Sequence, residues 1–199
     1  MVKNHPAENH LKDNSPSDTT LPDLSAALRL ENQLCFPIYS ASRLITQAYA
    51  PYLDKMGITY PQYLVLMTLW NYEDDLKLGQ KLNSTEHNTS AANLKKPSEP
   101  GLTVSQIGEK LLLDSGTLTP ILQKLDHNNL IVRARSKIDD RRVLNSLTDL
   151  GRNLKTSALE MGYQVFCASK LTLEQVESLK VAIKDLVCRV QDHLEFSHH

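Results

Sequence analysis

The sequence predicts a mainly α-helical protein with one small β-hairpin, an α+β chain. Three observations carry this. Apolar residues recur at helical spacing through most of the chain, and the pattern changes to period two after Leu130. Gly 7 and Pro 9 in 199 residues are too few for a turn-rich all-β protein. At 41% apolar and 23% charged residues the composition is globular, and the length suits one compact unit with tails. A fully ordered chain of this size buries roughly 70% of its unfolded surface and needs no disulfide or metal staple. The three cysteines, Cys35, Cys167 and Cys188, are odd in number and far apart, unlike an oxidised secretory framework. They form no Cys-x-x-Cys pair or zinc-spaced cluster, so neither a metal nor a cofactor is expected. No apolar run reaches membrane-spanning length, and MVKNHPAENHLKDNSPSDTT lacks the apolar core of a secretory signal. The expected address is the cytoplasm, with reduced thiols.

Residues 1–24, rich in Asn, Asp, Pro, Ser and Thr, are expected to form a disordered tail. Leu28, Leu34, Ile38, Leu44, Ile45 and Tyr49 then recur at helical spacing and predict a long helix over 25–50, with Pro37 kinking or breaking it near Cys35. Tyr60-Pro61-Gln62 opens a second helix with proline in its first turn. Tyr63, Leu64, Leu66, Met67, Leu69 and Trp70 make that helix apolar, hence buried. Residues 76–100, LKLGQKLNSTEHNTSAANLKKPSEP, lose periodicity and predict an exposed polar insertion.

Thr103 is an N-cap for a helix whose Val104, Ile107 and Leu111 share a face, and Asp114 caps a second with Leu118, Ile121, Leu122 and Leu125 turned inward. The two make a helix-turn-helix. IVRARS, IDDRR and VLNSLT follow as a hairpin with a charged tip, a wing. Gly151 to about Phe166 reads as a further helix. Thr172 caps a last one, striped by Val176, Leu179, Ile183, Leu186, Val187, Val190 and Leu194. The organisation is therefore a winged helix-turn-helix domain over 25–155 and C-terminal helices over 156–199. The stripes of the first and last helices are too wide for a lone chain, so an intertwined homodimer is expected.

The net charge of -1 hides a local imbalance. Between 131 and 155, Arg133, Arg135, Lys137, Arg141, Arg142, Arg152 and Lys155 oppose Asp139, Asp140 and Asp149, a net of +4. Such a concentration beside a helix rich in short hydroxyls suits phosphate neutralisation and groove reading. Ser115, Thr117, Thr119 and Gln123 are the candidates to meet base edges of double-stranded DNA. Lys137, Arg141 and Arg142 are the candidates on the wing, with Asp139 orienting Arg141. The alternative is a solvated hairpin on a protein-binding module.

N-Q-L-C-F (residues 32–36), T-Y-P-Q-Y-L-V-L (residues 59–66) and D-S-G-T-L-T-P (residues 114–120) go further. With them, residues 28–155 resemble the MarR family of dimeric winged-helix regulators, and within it the organic hydroperoxide sensing branch. The resemblance implies that Cys35 is the peroxide-reacting thiol. It implies that Tyr49 and Tyr60 of the partner subunit hydrogen-bond Cys35, and that Tyr39 lines the same pocket. Of the distal cysteines, it points to Cys167 as the candidate resolving thiol, while the apolar stripe of the last helix suggests packing for Cys188; resolution by Cys188 or by a small thiol is the alternative. The chemistry agrees, because only a thiolate attacks a peroxide and phenols donating to sulfur favour the anion. Leu34, Phe36 and Met67 are candidates for an apolar wall that selects alkyl or lipid hydroperoxides. The 76–100 insertion, the N-terminal tail and Pro37 depart from the family pattern.

The expected protein is thus not an enzyme but a redox-switched repressor. It would bind a near-palindromic operator as a homodimer, take an organic hydroperoxide as signal, and release DNA on oxidation of Cys35. One alternative keeps the fold and replaces the signal with a phenolic or lipophilic ligand. Another, a thiol peroxidase, lacks a general-acid constellation near Cys35.

Overall fold

The computed structural model describes residues 28–85 and 99–196. The predicted tail and the middle of the predicted insertion lie outside them. A 3-10 turn over Leu30–Asn32 precedes α1 (Cys35–Lys55) and α2 (Tyr60–Thr85). Then come β1 (Leu102–Thr103), α3 (Val104–Leu111), α4 (Ser115–His127), β2 (Ile131–Arg135), β3 (Val143–Leu147), α5 (Asp149–Ser169) and α6 (Leu173–Phe196). Among the described residues, six helices and a three-stranded antiparallel sheet of order β1-β3-β2 make the expected winged helix-turn-helix. The chain divides into two compact units after Leu44.

In the first unit Arg29 pairs with Glu31 at 2.7 Å on the exposed 3-10 turn, and the first half of α1 follows. The helix expected over 25–50 starts at Cys35 instead and runs on to Lys55. Pro37 explains the start: a residue without an N–H is tolerated in a first turn, so the helix begins just ahead of it. Farther on, Pro51 lies within α1 and does not end it.

The second unit holds the core. Val65, Leu66, Leu69 and Trp70 of α2 are buried with Ile107 of α3, with Leu118, Leu122 and Leu125 of α4, and with Ile131 and Leu147 of the sheet. The helix-turn-helix forms as its caps direct. Thr103 accepts from the Gln106 N–H at 3.2 Å while the Gln106 side chain accepts from Thr103, a reciprocal cap. Strand β1, which sequence reasoning did not find, pairs with β3 through Leu102↔Asn145 and Thr103↔Leu144. Buried Asn145 donates Nδ2–H to the Leu102 carbonyl at 2.9 Å and fastens it.

α2 also corrects the insertion: residues 76–85 are helical, so the polar stretch continues a helix already nucleated by its apolar half. The Trp70 indole donates Nε1–H to the Gly151 carbonyl at 2.9 Å, tying α2 to the first turn of α5. Thr148 caps that turn, accepting from the Gly151 N–H at 3.0 Å. A Cβ on Gly151 would meet the Leu130 carbonyl oxygen at 2.0 Å, so a side chain is excluded there. Thr172 and Gln175 cap α6 reciprocally. Among the described residues α6 adds none to the buried core, and its Leu179, Ile183, Val187, Val190 and Leu194 are exposed.

Gly151→Ala is expected to destabilise the fold by about 1–3 kcal/mol through backbone overpacking. Gly79→Ala, in α2 where an added Cβ meets nothing within 4 Å, is expected to stabilise it by about 0.5–1 kcal/mol. Urea unfolding midpoints check both; a Gly151→Ala protein as stable as Gly79→Ala would contradict the packing.

Candidate nucleic-acid interface and redox thiols

The candidate reading helix α4 is set at its N-terminus. Asp114 accepts from the Thr117 N–H at 2.9 Å and from its hydroxyl at 2.7 Å, and these bonds hold the Asp114 carboxyl below its usual range. The cap is therefore intact above the ordinary carboxylate range and is lost as pH falls. Ser115, Thr117 and Gln123 are exposed on this helix. Thr119 donates its hydroxyl to the Ser115 carbonyl at 2.6 Å. With both threonine protons used within the helix, their oxygens are left as acceptors, suited to the amino groups of adenine and cytosine in a major groove. At the helix-turn-helix corner a Cβ on Gly108 would lie 2.6 Å from the Leu113 carbonyl oxygen, so the tight turn needs glycine.

The wing is β2 and β3 in register from Ile131↔Leu147 to Arg135↔Val143, closed by a loop over 136–142. Backbone bonds from Ser136 N–H to the Arg142 carbonyl and from Arg142 N–H to the Asp139 carbonyl, both 2.9 Å, shape that loop. Asp139 accepts from the backbone N–H of Arg141 at 3.1 Å, so it orients that residue through the turn rather than through its guanidinium. Lys137, Arg141 and Arg142 are exposed, and Arg135 donates to the Asp140 carbonyl at 3.4 Å. The basic patch is smaller than the sequence count. Arg152 grips Glu73 through two nitrogens at 2.8–3.0 Å and Asp149 at 2.8 Å, and Lys155 pairs with Asp74. These two cations brace α5 against α2. The contact that sequence reasoning missed is Glu99, whose carboxylate accepts from the Ser136 hydroxyl and the Lys137 N–H. No local signal announces a bond spanning 37 residues.

In the first unit, Cys35 is the exposed first residue of α1. It is not a buried packing residue within this chain. Tyr39, one turn on, is exposed and lies under the Arg43 guanidinium, 5.7 Å from its ring centroid. Leu34 and Phe36 are exposed as well. In the second unit, Tyr49 and Tyr60 come together edge to face at 5.5 Å. Tyr63 joins them, stacked on Tyr49 at 5.9 Å and tilted to Tyr60 at 6.1 Å, with Trp70 6.3 Å beyond it. Sequence reasoning had placed Tyr63 only in the core. Burial, then the neighbouring Tyr60, raises the Tyr49 pKa; burial and then its two tyrosine neighbours push Tyr63 up to about 12. Both remain protonated donors at neutral pH.

Cys167 is exposed in the last turn of α5, one turn after Tyr163, and interaction with the neighbouring Cys167 sulfur raises the Tyr163 phenol pKa. Cys188 is also exposed rather than packed within the chain. A half-open cavity of about 430 Å³ lies between the end of α1 and α5, lined by Tyr52, Lys55, Met56, Ser157, Glu160, Met161 and Gln164. Among the described residues no His/Cys/Asp/Glu group is placed to hold a metal, and no helix is long and apolar enough to cross a membrane.

Residues 47–158 match the family of SarA/Rot transcriptional regulators. The chain is 42% identical to the organic hydroperoxide resistance transcriptional regulator of Bacillus subtilis over 160 residues, covering 80% of this chain and 90% of that one. Among solved structures, reduced AbfR bound to DNA superposes with a TM-score of 0.60 at 32% identity, covering 85% of this chain and 97% of the other. Disulfide-formed AbfR superposes with a TM-score of 0.51 at 30% identity, covering 86% and 96%. AbfR is a protein of Staphylococcus epidermidis.

Because folding favours the neutral Tyr63 phenol, its contribution to stability is complete below pH 10 and is lost as pH rises from 10 to about 12. Urea unfolding across that window should show a smaller loss of stability for Tyr63→Phe than for wild type. Parallel losses would contradict the tyrosine cluster.

Proposed function

The chain belongs to the MarR family of winged-helix transcriptional regulators, on its organic hydroperoxide regulator branch, and from that premise we propose that it is a cytoplasmic homodimeric repressor switched by oxidation of Cys35. The observation that carries the reading is the pairing of two facts: Cys35 is exposed, and the two phenols that the family pattern assigns to it stand together, edge to face at 5.5 Å. The relatives are transcriptional regulators, and the proposed role is likewise stoichiometric signalling rather than catalysis.

In the proposed reduced dimer, the Tyr49 and Tyr60 hydroxyls donate to Cys35 of the partner subunit and favour its thiolate. Tyr39, on the face of α1 that carries Cys35, lines the same site. The thiolate attacks the terminal oxygen of an organic hydroperoxide. The O–O bond breaks, sulfur loses two electrons and becomes a sulfenic acid, and the alkoxide leaves to be protonated as an alcohol. Cys167 then attacks that sulfur as a thiolate, an S–S bond forms as the S–O bond breaks, and the oxygen leaves as hydroxide, which solvent protonates to water.

Ser115, Thr117, Thr119 and Gln123 of α4 read the major groove of a near-palindromic operator, and Lys137, Arg141 and Arg142 hold phosphates or the minor groove beside it. The exposed stripe of α6 and the exposed Ile38, Leu44 and Ile45 of α1 provide the apolar surface for the second copy. Disulfide formation withdraws Cys35 from the phenols. That change passes from Tyr60 and Tyr63 through Trp70 to Gly151, at the junction of the wing with α5. Misaligning one half-site costs several kcal/mol and releases the operator.

The cavity beside Lys55 supports a second reading, release by a phenolic or lipophilic anion, with Cys35 incidental. A duplex selected from a randomised pool by the reduced protein separates the two. Stoichiometric cumene hydroperoxide should release it from wild type and leave Cys35→Ser bound in a gel shift. Release of Cys35→Ser by peroxide would refute the redox reading, and release by an aromatic acid alone would favour the second. On non-reducing electrophoresis the oxidised dimer should be crosslinked, and Cys167→Ser should abolish the crosslink while Cys188→Ser retains it.

A further inference from the structure

The loop that presents the wing cations is organised around one buried hydroxyl. Ser136 is 4% exposed, and its Oγ accepts from the N–H groups of Ile138 and Asp139, both at 3.1 Å. Those two bonds use both lone pairs, so the hydroxyl proton must go elsewhere. It goes to Glu99, whose other carboxylate oxygen takes the N–H of Lys137. A single carboxylate thus binds consecutive residues at the foot of the loop, from a segment that leads into β1. Without it, a buried donor and the Lys137 N–H lose their partner, a cost that natural structures avoid.

We propose that Glu99 is a positioning residue for DNA binding: its carboxylate latches the 136–142 loop through Ser136 and Lys137, so that Lys137, Arg141 and Arg142 are held at fixed places along the phosphate backbone. The inference rests on the DNA-binding reading above and adds to it a residue that belongs to no helix or strand of the winged module. It also resolves an apparent conflict. An acidic side chain beside wing cations opposes a polyanion by charge alone and shares the field of Lys137. Held in a charge-assisted network, it instead fixes three cations that would each spend conformational entropy to reach a phosphate.

The two effects have opposite signs, which makes the proposal testable. Charge alone predicts that removing Glu99 tightens DNA binding. The latch predicts that it weakens binding. Reduced full-length protein is titrated with a mixed-sequence duplex of about 40 base pairs over a range of salt concentrations. Glu99→Ala is expected to bind about tenfold more weakly, with the slope of log K against log[salt] shallower by about 1–2 because ordered phosphate contacts are lost. Glu99→Gln, which keeps one acceptor oxygen, should fall between wild type and alanine. Ser136→Ala should reproduce the loss, and Glu99→Ala with Ser136→Ala should be no worse than either alone.

The rate of Cys35 oxidation by cumene hydroperoxide should be unchanged in Glu99→Ala, which separates a wing defect from a folding defect. Glu99→Ala and Glu99→Gln proteins that bind as tightly as wild type or more tightly, with the wild-type salt slope, would overturn the latch. Failure of wild type to bind any duplex would instead overturn the DNA-binding reading itself.

Discussion

The hydrogen bond from the Trp70 indole to the Gly151 carbonyl is the contact on which the arrangement of the described residues of the second unit depends. It joins the middle of the buried helix α2 to the point where the wing ends and α5 begins. Three local features make it possible. Gly151 has no side chain, so the Leu130 carbonyl lies against it. Thr148 caps α5 at the same turn and also donates to the Asn129 carbonyl, so both ends of the β2–β3 hairpin are pinned there. Glu73 and Asp74, just beyond Trp70 on α2, bind Arg152 and Lys155 on α5. A buried indole N–H without this acceptor costs about 1–3 kcal/mol, and the ion pairs around it fix direction more than they add stability. One helix therefore carries phenols at its start, an indole anchor in its middle and two acidic clamps after it.

Charge is divided between structure and surface along the same lines. The cluster of cations in 131–155 is one stretch of sequence but two populations in space. Arg152 and Lys155 are spent on α2, and the elevated affinity of Arg152 for its proton, caused first by Glu73, records that use. Arg141 and Arg142 stand on a loop with no ion pair among the described residues, where they remain available to phosphate. Glu99 belongs to the structural population although it lies among the surface one.

What the sequence revealed follows the range of the forces involved. Thr103, Asp114 and Thr172 were legible as caps because a cap is settled within three residues. The wing was legible because period two changes face at every residue. The Cys35, Tyr49 and Tyr60 assignment came from motif resemblance, and the chain itself offers exposure of the thiol and the pairing of the phenols in its support. The failures are of the opposite kind. Residues 76–85 carry no apolar stripe, so their continuation of α2 had no local signature. β1 is two residues long and exists through its pairing to Leu144 and Asn145. The Glu73–Arg152 and Glu99–Ser136 bonds cross 79 and 37 residues. Tyr63 was visible as an apolar position but not as a third phenol, since stacking depends on where α1 and α2 place their faces.

The proposed switch asks a small chemical event, two electrons leaving one sulfur, to move a reading helix and a wing. Packed aromatic contacts from Tyr60 through Tyr63 to Trp70 supply a continuous route, because close-packed interiors shift between discrete arrangements rather than deform smoothly. The chain's single tryptophan is part of that route. The emission of Trp70 followed during stoichiometric titration of the reduced protein with cumene hydroperoxide tests the account most directly. It should change in step with release of bound DNA and stay constant in Cys35→Ser. DNA released with no change in that emission, or the same change in the serine protein, would contradict it.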